Sequence, residues 1–311
     1  MKSYQRAFIL LLVALAAAAL LSPWVAALWN AVLTARPEWE RYRYSFSHIF
    51  GRTFMIAGVA LFLSFRSWIG IRSARDLGLG PLRQSLANVP LGFFLAVASV
   101  ALLGFLMSIA DIFEPDFRLA FPVGLRVSMK ALLAALAVGF LEEMFFRGII
   151  FKGLVEDTGR VTAFALASLF FAAIHFVRPG ERFAVEGIDP LAGARYLGDA
   201  FAPLLDPLDF LPGLAGLFII GLVLSYAFMR TGSIYLSMGL HAGWVFGIKT
   251  IRVYGDFARE DLGWLFGSSN PKIVSGVATW LGVLAVGCVV HLMTRPHPGP
   301  LPGRERGGRG S

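Results

Sequence analysis

About eight apolar runs dominate the chain, each near the roughly 20 residues that a helix needs to cross a bilayer. They cover Ala7–Trp29, Phe54–Ile69, Val89–Ala110, Val127–Ile150, Val161–Val177, Leu211–Met229, Ile234–Ile251 and Ile273–Met293. The second and fifth are short for a crossing. Of the 311 residues, 57% are hydrophobic and 15% charged. A soluble domain carries nearer about 25% charge. So little polar surface cannot cover a water-soluble globule of this length, and lipid must be the solvent over much of it. The expected fold is therefore all-α: a polytopic membrane helix bundle with any active site in the bundle core.

The net charge of +8 does not read as a nucleic-acid footprint. The arginines stand at the edges of apolar runs, where they anchor helices and face lipid headgroups. Arg66, Arg72, Arg75 and Arg83 share one short loop, which favours an inside N-terminus. An even number of spans then returns the C-terminus to the same side. This places the chain as a multi-pass protein of the inner (cytoplasmic) membrane. The first run follows Lys2 and Arg6 as a signal peptide would. Its apolar stretch continues through Trp24, Val25 and Leu28 without a small-residue cleavage site, so a retained helix is expected. The single cysteine, Cys288, excludes a disulfide framework or a thiolate metal site within one chain. The segment Arg178–Phe210 reads as a surface cap with short interfacial pieces. The Pro/Gly/Arg-rich tail from Arg295 reads as disordered.

Charges inside a membrane span are costly and mark function. The fourth run carries them, in FLEEMFFRG. Arg147 follows Glu143 by one helical turn, so the two can pair on one face. Glu142 points about 100° away and is open to other work. The plainer reading is three solvated charges at a helix end. His175 and His241 each lie in an apolar sequence, and each alone reads as a satisfied packing residue. His48, in a polar loop, His291 and His297 read the same way. Taken together, Glu142, His175 and His241 sit on three different runs. In a bundle they would converge on one polar cavity, since lipid offers such groups no partners. A carboxylate with two imidazoles can activate water. The same three can instead hold zinc, although the local HExxH motif is absent.

At these residues the chain resembles the CPBP (CAAX protease and bacteriocin-processing, or Abi) family of intramembrane endopeptidases. Its Glu-Glu-x-x-x-Arg motif matches Glu142, Glu143 and Arg147. Its Phe-x-x-x-His motif matches Phe171 and His175. Its third motif is a histidine followed one turn later by Asn or a similar residue. Here it is His241 followed by Val245. The turn Arg230–Ser233 and the Gly-rich helix before it also look like the family. The resemblance spans roughly Val127 to Lys249, and implies a division into N-terminal helices (1–126), a catalytic core (127–251), a loop and last helix (252–294) and a tail (295–311).

The resemblance implies an intramembrane endopeptidase acting on a membrane-associated protein or peptide. Glu142 would be the catalytic carboxylate, His175 its partner in activating water, and His241 an oxyanion binder. Glu143 and Arg147 would form a supporting pair. No metal is required on balance; zinc held by Glu142, His175 and His241 is the alternative. Val245 is a departure, because an Asn there would donate to the oxyanion. One such donor is worth about 10²–10³ in rate. Trp244 or Ser237 would have to substitute, or the enzyme is slow. The competing reading is a catalytically inactive scaffold or immunity protein of the same fold. A proton-coupled transporter is a third, against which stands the lack of repeated halves.

Overall fold

The computed structural model describes residues 1–80, 86–177, 183, 185, 188–205, 207–259, 261–267 and 272–296. The bulk of the expected tail, with His297, lies outside them, as do Arg83 and parts of the expected cap. The chain forms two compact units, each discontinuous in sequence: Met1–Arg72 with Ile174–Phe210, and Ser73–Ala173 with Leu211–Ser311.

The helices are α1 (Ser3–Ala35), α2 (Phe46–Phe65), α3 (Asn88–Ile109), α4 (Phe121–Thr158), α5 (Arg160–Ile174), α6 (Ala192–Ala200), α7 (Pro207–Thr231), α8 (Tyr235–Ile251), the short α9 (Gly263–Phe266) and α10 (Val277–Met293). The one strand pair among the described residues joins β1 (Phe113–Pro115) antiparallel to β2 (Gly255–Phe257), with Glu114 opposite Asp256. Each of the eight expected runs corresponds to a helix. Five of these are long and apolar enough to cross a bilayer: α1, α2, α3, α4 and α7. The helices α5 and α10 are apolar but shorter. Length and composition thus support five of the eight expected crossings among the described residues. The chain is an all-α membrane bundle with five such helices among the described residues.

In the first unit, α2 starts at Phe46, with Ser45 as its N-cap, eight residues before the apolar run. His48 therefore belongs to its first turn rather than to a loop. The cap segment contributes a true helix, α6. Its Gly193 faces the Ala19 carbonyl of α1, where a larger residue would meet backbone. Phe46, Phe50 and Tyr196 form an aromatic core there with Phe183. The Tyr196 hydroxyl closes it with a hydrogen bond to Ser47 Oγ (2.8 Å).

In the second unit, α8 packs tightly between α3 and α4, and glycines permit it. Gly239, Gly243 and Gly247 recur every four residues and line one stripe of α8. A Cβ on Gly243 would stand 2.5 Å from the Phe93 carbonyl oxygen, and one on Gly247 would stand 2.9 Å from Val100. Gly92 of α3 reciprocates, 2.5 Å from the Leu236 carbonyl. On the opposite side, a Cβ on Gly139 of α4 would stand 3.0 Å from the Met238 carbonyl oxygen and 3.1 Å from the Ala242 nitrogen of α8. A strap, Ser73–Gly80, braces the other end of both helices. Asp76 accepts from the Ser73 backbone N–H (2.8 Å) and its carbonyl accepts from Lys152 of α4 (2.8 Å). The Gly78 carbonyl accepts from the Ile234 N–H at the start of α8 (3.0 Å). Gly78 has φ +77°, and a Cβ there would press on Phe228 and Ile234. A left-handed residue in so crowded a place must be glycine.

This packing predicts that Gly243→Val forces α8 off α3. Overpacking of this kind costs about 1–3 kcal/mol. A lowered thermal unfolding midpoint in detergent is the expected result, and an unchanged midpoint would show that the α3–α8 contact is loose.

Candidate active site

Helix α4 runs without a break through the acidic motif, but not with uniform winding. From Met144 to Phe151 it is a π-helix. A π segment admits an extra residue per turn and is found at functional sites. One extra residue turns the following faces by about 100°. In this wider segment Phe146, Arg147, Gly148, Ile149, Ile150 and Phe151 are all buried. Gly148 lets the strap approach: a Cβ there would lie 2.5 Å from the Leu77 carbonyl oxygen.

Glu143 closes the regular part of the helix and is wholly buried, at 0% exposure. Its Oε1 accepts from Arg147 Nη1 at 2.9 Å, so the pair expected from the spacing is present. Oε1 also lies 2.9 Å from His241 Nδ1. A carboxylate that already accepts from a guanidinium is ionised and has no proton to give. Nδ1 must therefore be the donor, and it carries the hydrogen. The reading of these charges as a solvated helix end is overturned, because Arg147 is also buried, at 1% exposure. Isolated charges would be prohibitive there; paired and hydrogen-bonded ones are tolerated.

Arg147 has further partners. Its Nη2 donates to the Gly221 carbonyl of α7 at 3.2 Å. The guanidinium lies over the Phe171 ring at 4.6 Å and near that of Phe146 at 5.8 Å. Such desolvated cation–π contacts contribute about 2 kcal/mol each at best. Phe171, fully buried in α5, also presents its ring in a T-shape to His241, with centroids 5.7 Å apart. The phenylalanine of the second motif thus links the arginine of the first to the histidine of the third.

Glu142 differs from its neighbour. Its side chain is 32% exposed, and its Oε2 stands 3.8 Å from His241 Nε2. One imidazole therefore faces Glu143 through Nδ1 and Glu142 through Nε2. Of the two residues, only Glu142 keeps part of its side chain exposed, although the oxygen beside the imidazole, Oε2, is itself buried.

The structure brings Glu142, Glu143, Arg147, Phe171 and His241 together in the second unit. His175 follows directly on α5, in the first unit, and is half-buried. Val245 lies one turn beyond His241 on α8, half-buried. Neither substitute donor is idle. Trp244 Nε1 donates to Ser99 Oγ (3.1 Å), and Ser237 Oγ donates to the Ile234 carbonyl (3.0 Å). Among the described residues no group of three or more His, Cys, Asp and Glu side chains is disposed as a metal site. Sequence reasoning missed Gly139, which admits α8 to within reach of Glu143, and Gly221, whose carbonyl holds Arg147. It also missed the π segment.

Residues 124–247 match the family model described as Type II CAAX prenyl endopeptidase Rce1-like. That segment holds every residue of this cluster. The core of this chain matches the CAAX protease family. No curated protein and no solved structure matches the chain.

Arg147→Met would leave Glu143 as an uncompensated buried charge. Breaking such a pair costs about 3–5 kcal/mol. The expected readout is a large fall in the thermal midpoint in detergent, and Glu143→Gln introduced with Arg147→Met should restore part of it. Equal midpoints for wild type and Arg147→Met would contradict the buried pair.

Proposed function

We propose that this chain is an intramembrane endopeptidase of the multi-pass inner (cytoplasmic) membrane, with both termini inside, that hydrolyses a peptide bond of a membrane-associated protein or peptide. The observation that carries this reading is the asymmetry of the two adjacent carboxylates. Glu143 is sealed between Arg147 and His241, while the Glu142 side chain, beside the same imidazole, is 32% exposed. One is built to hold, the other to react. The family match over the same residues supports a protease.

In this mechanism Glu142 takes a proton from water, and the water oxygen attacks the scissile carbonyl carbon. A tetrahedral oxyanion forms. Glu142 then passes its proton to the leaving nitrogen as the C–N bond breaks, giving a carboxylic acid and an amine, which then exchange a proton to become carboxylate and ammonium. His241, oriented by its Nδ1–H bond to Glu143, presents Nε2 to the reacting region. When Nε2 is protonated it donates to the oxyanion. His175 is assigned to the same water, as its partner to Glu142, on the strength of the second motif. The reaction needs no metal.

The second reading is a catalytically inactive scaffold or immunity protein of the same fold. Val245 favours it, because valine supplies no donor where the motif has a polar residue, and Trp244 and Ser237 are engaged elsewhere.

Purified protein in liposomes should cleave a membrane-anchored peptide library. Glu142→Gln should lower kcat by about 10²–10⁴, and zinc chelators should leave it unchanged. Equal cleavage by wild type and Glu142→Gln would remove the peptidase reading. Val245→Asn should raise kcat by up to about 10². Cleavage by Val245→Asn alone, with none by wild type, would establish the inactive-scaffold reading.

A further inference from the structure

The guanidinium of Arg147 has two protein acceptors, Glu143 Oε1 and the Gly221 carbonyl. The second comes from α7, and its distance is set by how closely α7 can lie against α5. At that contact the two helices meet backbone to backbone. A Cβ on Gly221 would stand 3.0 Å from both Cα and Cβ of Ser168, and 3.2 Å from its Oγ. Ser168 is wholly buried, and its hydroxyl has no hydrogen-bond partner among the described residues. A buried hydroxyl without a partner costs stability rather than adding to it, so hydrogen bonding does not account for serine here. What remains at this position is its size: the contact with Gly221 is already tight, and added bulk on either side would have to push the helices apart. The Gly221–Arg147 bond, at 3.2 Å, is already at the long end of its range. Any widening of the contact would break it.

We infer that Gly221 and Ser168 are positioning residues, a steric gauge that sets the place of Arg147. Through Arg147 they set the orientation of the Glu143 carboxylate, and through Glu143 that of the His241 imidazole. Neither residue touches the reacting atoms. Ser168 sits one helical turn before Phe171, whose ring covers the same guanidinium, so α5 controls two sides of Arg147. This inference rests on the peptidase reading above for its activity readout.

The test is a second-site cycle on the full-length protein in liposomes, with the membrane-anchored peptide as substrate. Gly221→Ala should lower kcat at least tenfold with KM within twofold, because the substrate still binds while the imidazole is misaligned. Adding Ser168→Gly removes two of the three close atoms and should restore kcat to within about threefold of wild type. In an Arg147→Lys background, Gly221→Ala should change kcat less than twofold, since the bond it disturbs is already lost. Wild-type kcat in Gly221→Ala, or no recovery with Ser168→Gly in folded protein, would overturn the inference. Should Gly221→Ala fail to fold, Ser168→Thr enlarges the same contact from the other side. It too should lose at least tenfold in kcat, and wild-type turnover would be equally fatal. If wild type itself cleaves nothing, the peptidase reading fails separately. The thermal midpoints then decide: Gly221→Ala should lower the midpoint in wild type by several degrees more than in Arg147→Lys, and equal shifts would refute the gauge.

Discussion

One oxygen atom, Oε1 of Glu143, receives both the Arg147 guanidinium and the His241 imidazole within a fully buried cluster. Ions in such a place survive only when each is answered by another charge or dipole. The guanidinium and the imidazole N–H both answer Oε1, while the buried Oε2 has no hydrogen-bond partner among the described residues. Because Glu143 is ionised, His241 has no choice of which nitrogen bears the proton toward it. Its other nitrogen is then turned to Glu142. The chemistry assigned to Glu142 depends on this chain of forced choices, none of which involves Glu142 directly.

The helices are arranged so that these groups can meet. A carboxylate and an imidazole on two helices reach hydrogen-bond distance only if the backbones come close, and Gly139 of α4 allows that one turn before Glu143. The glycine stripe on the far side of α8 lets α3 press from behind. In a membrane, where no hydrophobic force drives helices together, small residues at the contact are what allow packing and polar pairing at close range. The strap at Ser73–Gly80 fixes the entrance to α8 and, through Lys152 and Gly148, the exit of the π segment. The site is thus held from both ends of α4's irregular stretch.

Much of this was legible in the sequence, and the limits are physical. Apolar runs marked each helix, but charge and aromatic residues at the ends hid the true starts: Ser45 caps α2 well before its apolar run, and Pro207 opens α7 before Leu211. Helix length supports five crossings directly; α5, α8 and α10, at 15, 17 and 17 residues, stand at or below the lower end of what spans a bilayer, which a soft-edged hydropathy window does not resolve. The Glu143–Arg147 pair followed from one helical turn of spacing. Its bond to His241 did not, because spacing within one helix carries no information on which residue of another helix arrives there. Gly239, Gly243 and Gly247 stand four residues apart in the sequence, but that spacing does not say which helix they meet. The π segment was not visible, since nothing in MFFRGIIF departs from an ordinary apolar helix. Gly221 acts through its carbonyl, and a backbone group leaves no mark in a sequence beyond the glycine itself.

The orientation of His241 is open to direct measurement. With histidine labelled at the ring nitrogens with ¹⁵N, solid-state NMR of the protein in bilayers reports which nitrogen bears hydrogen. The resonance assigned to His241, by its loss in His241→Asn, should show a protonated Nδ1 that responds to Glu143→Gln. A bare Nδ1 lone pair with hydrogen on Nε2 alone would mean that Glu143 does not hold the imidazole, and the catalytic geometry proposed for Glu142 would lose its foundation.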